Sequence, residues 1–189
     1  MRVFVVGATS AIGTRLVPQL IDQGHEVTGT FRAPGGAERV RALGAEPVAL
    51  DLLDAAAVRQ AVLEARPEAI IHQATALAGV RFGRSLDRSF GPTNQLRTEG
   101  TDHLLAAARE AGVRRFVAQS FASYRYAREG GPVKTEEDPL DPDPPAMARE
   151  TNAAMRHLDE AVTAADELDD DIRVERKRHH SYLRQSIIG

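Results

Sequence analysis

The chain of 189 residues is 42% hydrophobic and 27% charged, with a net charge of −3 at pH 7. This size and composition fit one folded domain with an apolar core and exclude a disordered chain. The acidic balance argues against nucleic acid as a partner, and a chain without cysteine has no disulfide or thiolate metal site. No apolar stretch reaches the roughly 18 residues that a bilayer span needs, and the first residues lack a signal peptide, so we expect a cytoplasmic protein.

The first 118 residues alternate short apolar runs with amphipathic stretches. In chain order the predicted elements are a strand at Arg2–Val6, a helix at Ile12–Gln23, a strand at Glu26–Phe31, a helix at Glu38–Leu43, a strand at Glu46–Leu50, a helix at Asp54–Glu64, a strand at Glu68–His72, a helix at Thr98–Ala111 and a strand at Arg115–Ala118. Strands separated by helices at this spacing predict right-handed βαβ units. The expected fold class is therefore α/β, a Rossmann-type doubly wound parallel sheet with flanking helices.

The second half of the chain has a different composition. Proline is dense within residues 119–145, which predicts a long, partly extended loop, and a helix is predicted at Ala146–Ala165. An acidic run and then a basic run follow, with only Ile172 and Val174 to suggest a sixth strand. The predicted division is a Rossmann domain at 1–165 and a charged tail, disordered or truncated, at 166–189.

A glycine-containing loop follows the first predicted strand and opens the first helix. Its sequence, Gly7-Ala8-Thr9-Ser10-Ala11-Ile12-Gly13, stands where a dinucleotide fingerprint requires it. Amide groups at the start of such a helix bind pyrophosphate oxygens, helped by the helix dipole, while the two glycines permit the turn and close packing. A plain tight turn is the alternative. The predicted cofactor contacts in this loop are Gly7, Thr9, Ser10, Ala11, Ile12 and Gly13.

Over residues 1–165 the chain resembles the extended short-chain dehydrogenases/reductases, and more narrowly the NAD-dependent epimerase/dehydratase family. The resemblance is carried by the glycine loop, the strands and Leu96-Arg97-Thr98-Glu99-Gly100-Thr101 before a Leu-Leu-Ala-Ala-Ala helix, although Ser10 stands where that family usually has glycine. It implies hydride transfer at a nicotinamide, on a sugar-nucleotide-like or small carbonyl or hydroxyl substrate. It also implies a possible homodimer through the helices predicted at Thr98–Ala111 and Ala146–Ala165.

Residues after the next strands bear on the choice of nucleotide. The second strand is followed by Arg32 and not by an acid, which favours NADP over NAD, unless Arg32 is only a solvated cation. The resemblance places the pair Asp51 and Leu52 beside the adenine, but Asp51 would also serve to end a strand. The small residues of Gln73-Ala74-Thr75 let the backbone approach the ribose and pyrophosphate, or form a close-packed turn.

The resemblance also implies a serine after the fifth strand and a Tyr-x-x-x-Lys pair. Ser120 matches the serine, although a loop serine also caps local backbone. The pair is not found, because its positions fall at Thr151 and Met155. Tyr124, with Arg128 at the same spacing, is the nearest substitute, and an aromatic anchor is the alternative role for Tyr124. The predicted catalytic residues are Ser120 and Tyr124.

Two functions remain open from the sequence. The first is an NAD(P)-dependent oxidoreductase of the epimerase/dehydratase type acting on a small-molecule substrate. The second is a dinucleotide-binding or sensing module without turnover, or an incomplete gene product. No metal site is predicted, because the adjacent pair His179-His180 has no third ligand beside it.

Overall fold

A computed structural model of the chain describes residues 1–80, 86–120, 126–127, 129–130, 133–135, 138–168 and 173–177. Its elements are β1 (Arg2–Val6), α1 (Gly13–Asp22), β2 (Glu26–Phe31), α2 (Gly36–Ala42), β3 (Glu46–Ala49), α3 (Ala55–Ala65), β4 (Ala69–His72), α4 (Leu86–Arg97), α5 (Glu99–Glu110), β5 (Arg115–Gln119), α6 (Arg149–Leu168) and β6 (Arg173–Lys177). Every strand predicted from the sequence in the first half is present.

The strands form one parallel sheet in the order β3-β2-β1-β4-β5-β6. Strands β2 and β3 follow β1 towards one side of the sheet, and strands β4, β5 and β6 then extend the sheet on the other side of β1. Val3 of β1 pairs with Val27 of β2 on one side and with Ala69 of β4 on the other. The predicted Rossmann-type fold is confirmed, and its switch point lies between β1 and β4, where such sheets bind ligands.

Both faces of the sheet are buried, which explains why β1 is apolar without alternation. Phe4 of β1 packs on one face with Leu104 of α5 and Leu158 of α6. Val5 packs on the other face with Val17 of α1. The helices therefore cover both faces of the sheet and leave the ends of its strands accessible.

Helix α4 is absent from the sequence prediction. It contains Gly91 and Pro92, a pair that is typical of turns, and this pair hides the helical pattern. The helix forms because it buries Phe90, Asn94 and Leu96, and this burial outweighs the local preference.

The sheet extends into the segment that the sequence assigns to a tail. Helix α6 follows a short 3₁₀ turn and runs to Leu168, and β6 then pairs with β5 along Arg173–Lys177. In the proline-rich segment, Tyr126 forms an isolated antiparallel bridge with Leu140. Among the helices described, none is both long and apolar enough to cross a bilayer.

Candidate functional site

The carboxyl edge of the sheet gathers most of the predicted site residues. Gly7 follows β1, Gln73 follows β4 and Ser120 follows β5. Because the strands are parallel, these ends meet at one edge, and the crossover helices α1 and α6 begin there. The site therefore lies across the switch point between β1 and β4.

Gly7 makes the turn out of β1. Its φ is +88°, and a Cβ built on it would lie 3.0 Å from the Cα and amide nitrogen of Ala74. The Gly7 amide donates to the Thr30 hydroxyl oxygen at 3.1 Å, and the Ala8 amide donates to the Thr30 carbonyl at 3.2 Å. The turn is thus held against β2 and crosses the end of β4, as a backbone that must approach a ligand closely requires.

Gly13 lets the start of α1 close over the same turn. A Cβ there would overlap the Gly7 carbonyl oxygen and would lie 2.7 Å from the carbonyl carbon of Ala8. The Ser10 hydroxyl oxygen accepts a hydrogen bond from the Gly13 amide at 3.0 Å. Ser10 therefore satisfies one of the amides that a helix start leaves unpaired.

The amides of Ala11 and Ile12 come immediately before α1. Within the described ranges they donate to no protein acceptor, and the first turn of α1 contains no acidic residue. Unsatisfied amides at the positive end of a helix dipole bind anions such as a diphosphate. The geometry of the loop therefore fits a dinucleotide.

The residues predicted to face the nucleotide base and ribose have different surroundings. Arg32 is exposed directly after β2. Asp51 is exposed, and its carboxylate accepts from the Leu53 amide at 3.1 Å, which stabilises a local turn. The side chain of Leu52 is only 4% exposed and packs in the core, so it contributes to the site through its backbone at most.

The segment after β4 contributes both backbone atoms and one side chain to the candidate site. The Gln73 amide donates to the Val6 carbonyl at 2.9 Å, which continues the ladder between β1 and β4. The buried Oε1 atom of Gln73 has no hydrogen-bond partner in the described part of the chain. Ala74 lies against Gly7, while Thr75 is exposed. An unpartnered buried acceptor next to the glycine loop suits a ligand with a donor.

His72, the last residue of β4, is a buried neutral group. Burial, together with the nearby Arg97 guanidinium, lowers the pKa of its imidazole to about 4. Its Nε2 atom lies 3.3 Å from the Leu96 carbonyl oxygen, so the neutral ring donates there. His72 packs α4 against the sheet and offers no proton near neutral pH.

Of the two predicted catalytic residues, the structure describes only Ser120. Ser120 is 4% exposed at the end of β5. Tyr124 lies outside the described residues. The positions that correspond to the tyrosine and lysine of the resembling family, Thr151 and Met155, are 4% and 1% exposed on α6.

Helix α4 contributes two site residues that the sequence reasoning missed. Asn94 donates from Nδ2 to the Thr151 hydroxyl oxygen at 3.2 Å, and the Asp87 carboxylate accepts from the Thr151 amide at 2.8 Å. The signal was available, because Asp87, Phe90 and Asn94 recur at the spacing of one helix face. No group of three or more potential metal ligands occurs in the described ranges.

Comparisons with known proteins identify one family and several similar enzymes. A family model described as the NAD dependent epimerase/dehydratase family matches residues 3–169. A 3-diazoavenalumate denitrifying reductase of a Streptomyces species is 44% identical over 170 residues, which are 88% of this chain and 53% of the relative. A UDP-glucose 4-epimerase of Mycolicibacterium smegmatis is 34% identical over 154 residues, which are 78% of this chain and 47% of the relative.

Solved structures agree with the fold. The UDP-glucose 4-epimerase of Brucella ovis in complex with NAD superposes with a TM-score of 0.75 at 21% identity, covering 94% of this chain and 51% of that one. The chain thus spans about half the length of the relatives that it matches.

Proposed function

The chain belongs to the NAD-dependent epimerase/dehydratase family, and we propose that it binds a nicotinamide dinucleotide at its glycine loop and supports hydride transfer to a small organic acceptor. The observation that carries this proposal is the pair of unsatisfied amides at Ala11 and Ile12, beside a Gly7 whose missing Cβ leaves the turn open. Reductase and epimerase relatives support the same activity.

Each part of the edge has a task in this function. The amides of Ala11 and Ile12 bind the diphosphate, and Gln73 accepts a hydrogen bond from the ligand. The Ser120 hydroxyl orients the acceptor. A reduced nicotinamide, when bound, supplies the hydride. The protein supplies position and hydrogen bonds, which are the contributions a cofactor enzyme makes to the reaction.

We further propose that NADP is preferred over NAD. Arg32 is exposed directly after β2, where its guanidinium can form charge-assisted hydrogen bonds with a 2′-phosphate. NAD binding is favoured by a carboxylate at that position, which would repel the same phosphate.

Calorimetric titration of the whole chain with NADPH and with NADH tests both statements. We expect micromolar binding of NADPH, lost in Gly7→Asp, and a loss of at least about tenfold in NADPH affinity in Arg32→Ala, as for a charge-assisted hydrogen bond. NADH affinity should change little in Arg32→Ala.

Two control variants separate binding from folding in this titration. Gly112 also has a positive φ, +66°, with no heavy atom within 4 Å of a built Cβ, and it ends α5 at the opposite edge of the sheet. Gly112→Asp should therefore bind NADPH normally. Arg41→Ala removes an exposed cation at the far end of α2 and should leave the preference unchanged. Failure of wild-type protein to bind either nucleotide would contradict the proposal.

The substrate class is proposed from the relatives. The 44% identical relative is named as a denitrifying reductase of a diazo compound. We propose that this chain also reduces a small diazo compound, and a small carbonyl compound is the alternative acceptor.

A dinucleotide-binding module without turnover is the second candidate function. The observation that favours it is the presence of a threonine and a buried thioether at Thr151 and Met155, where the resembling family carries its tyrosine and lysine. Both candidates bind the nucleotide, and only the first oxidises it in the presence of an acceptor.

A further inference from the structure

Two buried polar side chains meet where α4 packs against the first turn of α6. The Asn94 Nδ2 atom donates to the Thr151 hydroxyl oxygen at 3.2 Å, and the two residues are 8% and 4% exposed. Among the residues that the structure describes, none donates to the buried Oδ1 atom of Asn94, and none accepts the proton of the Thr151 hydroxyl. Asn94 and Thr151 together form the amide–hydroxyl pair.

The amide–hydroxyl pair keeps one acceptor and one donor for a further group. A buried acceptor or donor that stays unpaired is costly, so a group that satisfies both is bound selectively. If the Asn94 amide turns over and Oδ1 accepts from the Thr151 hydroxyl, Nδ2 becomes the free donor and the hydroxyl oxygen the free acceptor. In either arrangement the pair matches a group with one donor and one acceptor side by side, such as a primary carboxamide.

Contacts of α4 place the pair beside the end of β4. The Ala76 amide, in the segment that follows β4, donates to the Thr93 hydroxyl oxygen on α4 at 3.0 Å. His72, the last residue of β4, lies with its Nε2 atom 3.3 Å from the Leu96 carbonyl oxygen. These two contacts hold the turn of α4 that contains Asn94 against the carboxyl edge of the sheet.

The backbone of Thr151 is fixed as well. The Asp87 carboxylate accepts from the Thr151 amide at 2.8 Å and from the Glu150 amide at 3.1 Å. The hydroxyl therefore has a set position before any ligand arrives, which lowers the cost of ordering it on binding.

The direction of the proposed dinucleotide brings its nicotinamide end towards this pair. With the diphosphate at the start of α1 and the 2′-phosphate at Arg32, the other half of the molecule extends across β4 towards β5, because β2 and β4 flank β1. Strand β5 lies two strand spacings, about 10 Å, from β1. The nicotinamide carries a primary carboxamide, which is the group that the pair matches.

We propose that Asn94 and Thr151 bind the carboxamide of the nicotinamide. The Asn94 Oδ1 atom accepts from the amide nitrogen of the ligand, and the Thr151 hydroxyl donates to its oxygen. The inference rests on the proposed dinucleotide function and concerns a part of the same site. A carboxamide held at both atoms prevents the nicotinamide ring from turning over, so that one face of the ring stays towards the acceptor. This role is the same in a reductase and in a binding module.

Calorimetric titration of the whole chain with NADPH and with reduced 3-acetylpyridine adenine dinucleotide phosphate tests the inference. In this analogue a methyl group replaces the amide nitrogen, so the carbonyl acceptor remains and the donor is lost. The analogue therefore leaves the buried acceptor of the pair without a partner. We expect it to bind at least about tenfold more weakly than NADPH.

Asn94→Leu tests whether Asn94 causes this difference in affinity. Leucine has a similar volume and no hydrogen-bonding atom, so the variant should bind the two nucleotides with affinities within about twofold of each other. The matched control is Asn152→Leu. Asn152 is also buried, at 7% exposure, but its Nδ2 atom donates to the Ala148 carbonyl at 2.8 Å. This control should keep the difference, and a difference that persists in Asn94→Leu would overturn the inference.

Thr151→Val removes the hydroxyl and keeps the shape of the side chain. Because both nucleotides carry the carbonyl oxygen that Thr151 binds, we expect the variant to bind each of them about tenfold more weakly than the wild-type chain does. Unchanged affinity for both nucleotides in Thr151→Val would overturn the assignment of the pair.

The comparison in the wild-type chain needs no variant, so it decides the inference even where a substitution prevents folding. Equal affinity of the wild-type chain for NADPH and the acetyl analogue would overturn the inference and leave the dinucleotide function intact. Absence of NADPH binding would overturn the proposed function itself and this inference with it.

Discussion

Gly7 carries the sharpest single-residue requirement in the molecule. A side chain there meets both a left-handed backbone, at φ +88°, and the backbone of Ala74, at 3.0 Å. We expect Gly7→Ala to lower the free energy of unfolding by about 1–3 kcal/mol and to weaken NADPH binding, because the turn must shift away from the end of β4.

The matched variant for Gly7 is Gly112→Ala. This variant also places a side chain on a left-handed backbone, at φ +66°, but the new Cβ has open space around it. Urea unfolding should show a smaller loss in Gly112→Ala, and calorimetry should show unchanged NADPH affinity. Equal losses of unfolding free energy in both variants would show that the contact with Ala74 adds nothing to the cost of a side chain at Gly7.

His72 gives the stability of the protein a dependence on pH. Burial lowers its pKa to about 4, from 6.5 in the unfolded chain, so the unfolded state binds the proton first as the pH falls. The stabilisation is therefore complete above pH 6.5 and is lost between pH 6.5 and pH 4.

From pH 7.5 to pH 5 this loss should amount to about 2 kcal/mol in urea unfolding experiments. In His72→Gln the part of the slope due to His72 should disappear, whereas His25→Gln, at the opposite edge of the sheet, should keep it. An unchanged slope in His72→Gln would show that the imidazole is not held neutral by burial.

Helix α4 links the carboxyl edge of the sheet to α6. The Asp87 carboxylate, in the first turn of α4, accepts from the Glu150 amide at 3.1 Å and from the Thr151 amide at 2.8 Å. It thereby caps α6 from a neighbouring helix and fixes the position of Thr151. We expect Asp87→Ala to cost about 1–2 kcal/mol, as for a lost cap with a helix-dipole contribution.

Asp54→Ala is the comparison for this cap. Asp54 directly precedes α3 and caps that helix by accepting a hydrogen bond from the Ala57 amide at 3.0 Å. Both variants should lose a similar amount of stability, measured by thermal unfolding, but only Asp87→Ala should alter the NADPH-dependent reduction of a small diazo compound. If both left that rate unchanged, α4 would have no role in positioning the site.

The elements show where sequence reasoning succeeds and where it stops. The strands were predictable because both faces of the sheet are buried and their apolar runs are continuous, as in Val3 to Val6. Helix α4 was missed because Gly91 and Pro92 are typical of turns and outweighed the helical spacing of its buried face. The roles of Asp87 and Asn94 were missed with it.

For the whole molecule, the sequence led to the correct fold, and the place of the site stays a prediction that the fold accommodates. Parallel strands bring Gly7, Gln73 and Ser120 to one edge although they lie far apart in the chain. The surroundings of side chains required the structure, as Leu52 shows by packing into the core beneath Gly100. The roles of the predicted cofactor residues, the homodimer and the cytoplasmic location stay predictions.

We propose that backbone amides at the start of α1 bind a dinucleotide at the carboxyl edge of the sheet. The most direct measurement is a titration of the isotopically labelled chain with NADPH, followed by amide chemical shifts in nuclear magnetic resonance. We predict the largest shifts at the amides of Ala11 and Ile12, with a second group at Gln73 and Arg32 and little change along α3. Saturating NADPH that leaves the amides of Ala11 and Ile12 unshifted would show that the dinucleotide does not bind at the start of α1.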